Sequence, residues 1–482
     1  MAAVAKGEGV YDAVVIGGGT AGLVTASGTA ALGGRVALVE RRLMGGDCLN
    51  FGCVPSKALI AASRVAQTVR SAGRFGIEAG EALVDFARVF EGMRERRARI
   101  APNDSQQRFE GLGVEVFRGD ARFLSPREVA VGDQVLKGSH CVIATGTRAL
   151  VPLVPGLNRV PFYTNETFFD ELREKPESIM ILGGGPIGCE LAQVLARLGV
   201  RVVLVEMLER LLPRDDREAS RLVAEALARD GVELRTGTQA AGFEREGPRI
   251  KAQLKTMEGT TSLTVGALLV AVGRAANVQS LNLAEAGVAF TPKGVTVNQH
   301  LQTSARHIFA CGDVAGPYAF THTADYQARI VVRNILLPRL FWAKADYRVV
   351  PWVTYTDPEV AQVGLTEDEA SKQGLRFDLH RLGLEDLDRA VVEREEHGFV
   401  KVLTAGKGRI LGATIVGPRA GEVIHELVLA MKAGVGLGTL SGTIHAYPTF
   451  SAAVQRVADA YRRKSLTPFA KRVTRWLLGL SR

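Results

Sequence analysis

The order of apolar and polar positions along the chain repeats itself. Residues 12–16 (Asp-Ala-Val-Val-Ile) form a short apolar run that enters Gly17-Gly-Gly-Thr-Ala-Gly22. A small-residue stretch follows, and a second apolar run, Arg35-Val-Ala-Leu-Val39, ends at Glu40. The same order returns as Ser178-Ile-Met-Ile-Leu182, Gly183-Gly-Gly-Pro-Ile-Gly188, a helical stretch from Cys189 to Leu198, and Arg201-Val-Val-Leu-Val205 before Glu206. Short apolar runs bounded by glycine read as buried parallel strands, with crossover helices between them. In both copies the acid stands 23 residues after the first glycine. The pattern predicts an α/β fold with two Rossmann-like dinucleotide-binding units.

The chemistry of such a site explains the spacing. Gly17 and Gly183 permit the tight strand-to-helix turn, and Gly19 and Gly185 let a pyrophosphate approach the backbone. Gly22 and Gly188 let helix pack on strand. Unpaired N–H groups at the helix start face the phosphates, and Glu40 and Glu206 can accept hydrogen bonds from a ribose diol. One such fingerprint is weak, because glycine turns also arise for packing. Two complete copies imply electron transfer between two dinucleotides, usually a flavin and a nicotinamide. An acid at the ribose position repels a 2′-phosphate, so the Glu206 site is expected to take NADH rather than NADPH. Arg201 and Arg210 do not stand where a phosphate clamp belongs.

Composition narrows the class. A chain of 482 residues should divide into about three domains. With 46% hydrophobic and 23% charged residues it is an ordinary globular sequence. No apolar run approaches the roughly 18 to 20 residues of a membrane span, and residues 1–9 lack the apolar core of a secretory signal, so a cytoplasmic protein is expected. Five cysteines are too few for a disulfide scaffold. The net charge of +9 comes mostly from residues 462–482, which hold seven Lys or Arg and no acid. The nearly neutral remainder argues against nucleic acid as a partner. Within that segment Phe469, Val473, Trp476, Leu477 and Leu480 fall on one helical face, with Lys471, Arg472 and Arg475 on or beside the other. The spacing predicts a helix over 468–482. It either lies on an anionic membrane, at the inner face of the cell membrane, or docks on the protein itself.

A pair of cysteines follows the first fingerprint, in Gly45-Gly46-Asp-Cys48-Leu-Asn-Phe-Gly-Cys53-Val-Pro-Ser-Lys57. An apolar helical stretch begins near Val54. Thiols at a helix start beside Lys57 should have depressed pKa values, which favours the reactive thiolate. The alternatives are two core cysteines or half of a metal site. No second ligand cluster stands at metal spacing, and Cys141, Cys189 and Cys311 read as inert core residues. A redox disulfide between Cys48 and Cys53 is the favoured reading.

These residues resemble the flavin-dependent pyridine nucleotide-disulfide oxidoreductases, especially mercuric reductase-like and dihydrolipoyl dehydrogenase-like members, from about residue 10 to 460. The resemblance implies that Cys48 meets the substrate and Cys53 forms a charge-transfer pair with the flavin. Lys57 is then expected beside the flavin, paired with Glu190. Gly119-Asp-Ala121, Ala144-Thr145-Gly146, Gly273-Arg274 and Cys311-Gly312-Asp313 resemble further FAD-domain motifs, the last holding the ribityl chain. Gly46 belongs to the same cofactor set. The implied organisation is a split FAD domain (1–150 and 274–345) around an NAD(P) domain (151–273). An α+β interface domain (346–461) and the basic helix (462–482) complete it. A homodimer is implied, each active site being completed by the partner.

One stretch departs from the family. Disulfide-reducing members carry a His before Pro-Thr, which protonates the leaving thiol, and a Glu shortly after, which orients and charges that His. Here Ile444-His445-Ala-Tyr447-Pro-Thr-Phe-Ser-Ala452 places Tyr447 and Ala452 at those positions. Tyrosine, with a pKa near about 10, is a poor base at neutral pH. The leading expectation is therefore an NADH-dependent FAD enzyme that passes electrons through Cys48–Cys53 to a metal ion or quinone. A dihydrolipoyl dehydrogenase-like enzyme with His445 as substitute base is the alternative. A slow redox-sensing binding protein is a third. Phe320-Thr-His-Thr-Ala-Asp-Tyr-Gln-Ala-Arg329 and Asp388-Arg-Ala390 also look mercuric-reductase-like, though the vicinal cysteines and the metal-binding N-terminal domain of true mercuric reductases are missing. His322 is expected as a buried histidine.

Overall fold

The computed structural model describes residues 9–464 and 468–480. They pack as two compact units. One contains the residues up to 183 together with 194–205 and 238–346; the other contains 184–193, 206–237 and 347 onward.

The first unit is organised by a seven-stranded sheet centred on Val10–Ile16. That strand pairs in parallel with Val36–Glu40 on one side and Gln134–Ile143 on the other, so that Ile16 lies opposite both Val39 and Ile143. Because side chains alternate across a strand, Ala13 and Val15 enter one apolar layer and Val14 and Ile16 the other. Both faces are buried, which is why this strand reads as a continuous apolar run. Ile308–Ala310 adds to the same sheet from far downstream, pairing in parallel with Gln134–Ile143. Helices Thr20–Ala31 and Thr321–Leu336 pack against each other, and Gly28 allows their approach: a Cβ there would stand 3.1 Å from Val332.

The second apolar run forms Ser178–Leu182, which pairs in parallel with Arg201–Val205 and Ala267–Val270. Strands Gln239–Glu246, Arg249–Thr256 and Gly259–Val265 make an antiparallel sheet, and Thr147–Ala149 pairs with Arg274–Ala276.

The second unit holds a five-stranded antiparallel sheet in the order Pro351–Thr354, Glu359–Gly364, Arg409–Gly417, Phe399–Ala405, Asp378–Gly383. Helices Ala420–Ala433 and Ala452–Lys464 bury Ile424, Leu427, Val454 and Val457 with Val363, Val402 and Ile415 of the sheet. The predicted basic helix is present as Pro468–Leu480, while Arg462, Arg463 and Lys464 end the preceding helix Ala452–Lys464; residues 465–467 and 481–482 of the expected segment lie outside the described residues. Among the described residues no helix is long and apolar enough to cross a membrane.

Candidate active site

Cys48 lies on the short helix Gly46–Asn50, and Cys53 is the first residue of the helix Cys53–Ser71. A thiol there meets unpaired backbone N–H groups and the positive end of the helix dipole. The expectation of two depressed thiols is corrected: the structure splits them. A hydrogen bond with Cys48 holds Cys53 down to about 6 against the upward push of burial, and the Thr321 hydroxyl and the Lys57 charge act in the same downward direction. The same hydrogen bond, and then burial, pushes Cys48 far above the ordinary thiol value. One proton held between two sulfurs stabilises one thiolate at the expense of the other. Both are free thiols, Cys53 exposed and Cys48 half-buried.

Thr321 was not singled out by the sequence reading. Its Oγ1 lies 3.5 Å from Cys53 Sγ, across 268 residues of chain. It opens the helix Thr321–Leu336, so two helix N-termini meet at this sulfur. His322, expected to be buried, is exposed and stacks on Phe320 with ring centroids 5.2 Å apart. Cys141, Cys189 and Cys311 are buried; burial pushes Cys141 and Cys311 up to about 12, as inert core thiols require.

A polar chain fixes the segment that carries Cys48. Asn165 Nδ2 donates to Asp47 Oδ1 (3.0 Å) and to the Phe51 carbonyl (3.2 Å), while Arg274 pairs with Asp47 at 3.1 Å. Arg274 Nε also donates to Thr147 Oγ1 (2.7 Å), whose hydroxyl donates to Asp313 Oδ2 at 2.9 Å. Burial raises the Asp313 carboxyl, with Arg274 and Thr147 opposing it. Arg274 and Asp313, from separate motifs in the sequence, thus converge on one network. The neighbouring Gly312 N–H donates to the buried Gln327 side chain at 2.6 Å.

The first glycine cluster forms a cradle of backbone. Gly17 has φ +114°, and a Cβ there would sit 2.3 Å from the Ala144 carbonyl oxygen. At Gly22 it would sit 1.8 Å from the Gly17 carbonyl oxygen, and at Gly46 it would sit 2.6 Å from the Gly19 Cα. Side chains at these positions would fill the cradle, so its shape fits a pyrophosphate held by backbone. Glu40 accepts the Gly18 N–H and the Arg42 N–H, both at 2.6 Å, which aims its carboxylate at the end of the strand. Thr145 Oγ1 donates to the Asn277 carbonyl (2.8 Å), and the Gly146 carbonyl accepts the Asn277 N–H (3.0 Å). Ala121 opens the strand Ala121–Ser125.

The second fingerprint repeats this construction. A Cβ on Gly183 (φ +106°) would lie 2.5 Å from the Ala271 carbonyl oxygen, whereas one on Gly185 would meet open space. Gly188 lies within the helix Pro186–Arg197. Glu206 accepts the Gly184 N–H (2.6 Å) and the Leu208 N–H (2.8 Å). Arg210 is turned into its own loop, donating to the carbonyls of Leu212, Pro213 and Asp215. Glu190 is buried and accepts the Tyr355 N–H at 2.9 Å.

His445 and Tyr447 have different surroundings. His445 is held at both ring nitrogens, Nδ1 by the Thr443 carbonyl (3.0 Å) and Nε2 by the Glu426 carboxylate (2.9 and 3.1 Å). Its side chain is only 7% exposed. Tyr447 is exposed, and its hydroxyl donates to Asp388 Oδ2 (2.9 Å), whose other oxygen accepts from Arg456 (2.9 Å). That bond raises the Tyr447 pKa, so the phenol stays protonated at neutral pH.

Comparison with known proteins bears directly on these features. Residues 11–328 match the pyridine nucleotide-disulphide oxidoreductase family, and residues 350–458 match its dimerisation domain. The chain belongs to this family. It is therefore a flavin-dependent pyridine nucleotide-disulfide oxidoreductase whose cofactors are FAD and a pyridine nucleotide, with a dimerisation domain that supports a homodimer. A dihydrolipoyl dehydrogenase of Thermus scotoductus is 34% identical over 95% of this chain and 98% of its own length. A mercuric reductase of Staphylococcus aureus is 33% identical over 94% of this chain and 82% of its own. Among solved structures, the Cu(II) complex of the HOCl-induced flavoprotein disulfide reductase RclA of Escherichia coli superposes with a TM-score of 0.84. It is 28% identical and covers 94% of this chain and 100% of its own.

Proposed function

We propose that this oxidoreductase takes electrons from NADH and delivers them through the Cys48–Cys53 pair to a thiophilic metal ion, with quinones as a second class of acceptor. The observation that carries the reading is the state of the two residues at which the family resemblance would put the acid–base group: Tyr447 is a hydrogen-bonded phenol, and both nitrogens of His445 face acceptor oxygens. A metal ion held by two sulfurs is reduced without any leaving thiol to protonate. The mercuric reductase relative and the Cu(II) complex of RclA support the same choice. The alternative, a dihydrolipoyl dehydrogenase that uses His445 as base, would need that ring to release one of its two partners.

Bound FAD supplies a two-electron carrier between nicotinamide and disulfide. Its proposed holders are Gly17, Gly19, Gly22, Glu40, Gly46, Ala121, Thr145, Gly146, Gly273, Gly312 and Asp313. Cys53 is its proposed thiol neighbour, with Lys57 beside it, and Glu190 is proposed as a further catalytic residue. Cys48 is the thiol that meets the acceptor. Gly183, Gly185, Gly188 and Glu206 hold the nicotinamide dinucleotide, and Glu206 together with the self-engaged Arg210 favours NADH over NADPH. The family organisation supports domains at 1–150, 151–273, 274–345 and 346–461, in a homodimer; a cytoplasmic location is proposed with it.

Anaerobic titration with NADH tests the relay. A long-wavelength charge-transfer band is expected at the two-electron stage, and simple bleaching would overturn the role of the thiols. An acceptor panel then tests the substrate. Turnover with Hg(II) or Cu(II), lost in Cys48→Ser, is expected to exceed lipoamide turnover, and the reverse order would reinstate the alternative.

A further inference from the structure

We infer that the helix Pro468–Leu480 docks the enzyme on an anionic lipid bilayer, an interaction surface beyond the redox chemistry. Its apolar residues are displayed rather than buried: Phe469 is 69%, Trp476 64% and Leu480 66% exposed, with Val473 on the same face. Helical spacing of i, i+4, i+7 and i+11 aligns these four in one stripe. Lys471, Arg472 and Arg475 are exposed on or beside the other face, and Arg462, Arg463 and Lys464 are exposed just before the helix. Residues 462–482 contain no acid.

Charge and shape select the occupant together. An acidic nucleic acid would satisfy the cations but offers nothing to a stripe of Phe, Val, Trp and Leu. A purely apolar partner would offer nothing to the exposed Lys471, Arg472 and Arg475. A bilayer with anionic headgroups meets both requirements, since the stripe sinks to the acyl boundary while the cations stay at headgroup level. Trp476 adds a ring suited to that interface. At 13 residues the helix is about 20 Å long, too short to span and suited to lying in the plane.

The experiment uses the FAD-loaded full chain, sedimented with phosphatidylcholine vesicles that contain or lack phosphatidylglycerol. Binding is expected only to the anionic vesicles and should weaken as salt is raised. The triple variant Lys471→Gln/Arg472→Gln/Arg475→Gln should bind on the order of a hundredfold more weakly, at about fivefold per charge. Trp476→Ala should also bind more weakly, and both variants should keep their flavin spectrum and NADH oxidation. Equal binding to both vesicle types, or no binding to either, overturns the proposal. So does self-association of the vesicle-free enzyme beyond the dimer that Trp476→Ala abolishes, because the face then closes on a second copy.

Discussion

Cys53 is the residue at which local and distant effects add. Its place at a helix start, the Cys48 thiol and the Lys57 charge follow from the chain around it, whereas the Thr321 hydroxyl is brought to it by folding. The reduced, FAD-free protein should therefore be alkylated by iodoacetamide at Cys53 with a midpoint near pH 6, reactivity rising above it as the thiolate forms. Thr321→Val removes one donor to that thiolate and should move the midpoint upward, while Thr321→Ser should leave it in place. An unchanged midpoint in the valine variant would show that the 3.5 Å contact does not matter. Tyr447 is the second decisive residue. If the missing imidazole limits disulfide chemistry, Tyr447→His should raise NADH-linked lipoamide reduction, toward the roughly hundredfold or greater effect of a placed acid–base group. Metal-ion reduction should barely change in steady-state assays of the same variant.

At the scale of elements, each fingerprint is a strand, a turn and a helix locked by an acid from the next strand. Glu206 caps the turn through the Gly184 and Leu208 N–H groups. Replacing it by Ala loses both bonds and the proposed ribose contact, so KM for NADH should rise about tenfold or more and the preference over NADPH should shrink. Initial-rate kinetics with both nucleotides measure this directly. A different lock joins the strand Phe399–Ala405 to the helix Arg217–Arg229. Lys401, 6% exposed, reaches Asp216 at 2.9 Å, and Asp216 caps that helix. Lys401→Met leaves a buried carboxylate without its cation, which should cost about 3 to 5 kcal/mol and lower the thermal midpoint. A melting point within a degree or so of wild type would mean that the cluster relaxes.

For the whole molecule, the dimerisation match over residues 350–458 sets the expectation in solution. Sedimentation velocity should give a dimer at all practical concentrations. Removing residues 465–482 should leave it intact, because the basic helix serves the membrane rather than assembly. A truncated chain that sediments as a monomer would assign the helix to the dimer instead.

The two dinucleotide units and the thiol pair were legible in the chain because each depends on short-range geometry. Strand, glycine turn, helix and acid lie within a few tens of residues, and Cys48 and Cys53 are five apart. The basic helix was legible for the same reason, since its stripe is a matter of period alone. Folding decided what spacing cannot encode. Which of two neighbouring thiols becomes the thiolate depends on a shared proton and on a hydroxyl from the start of a distant helix. That Arg274 links Thr147 and Asp313 to Asp47, and that His445 is held by Glu426, are likewise facts of three-dimensional packing. Electrostatics and hydrogen bonding act over a few ångströms of space, and only the tertiary structure says which residues share those few ångströms.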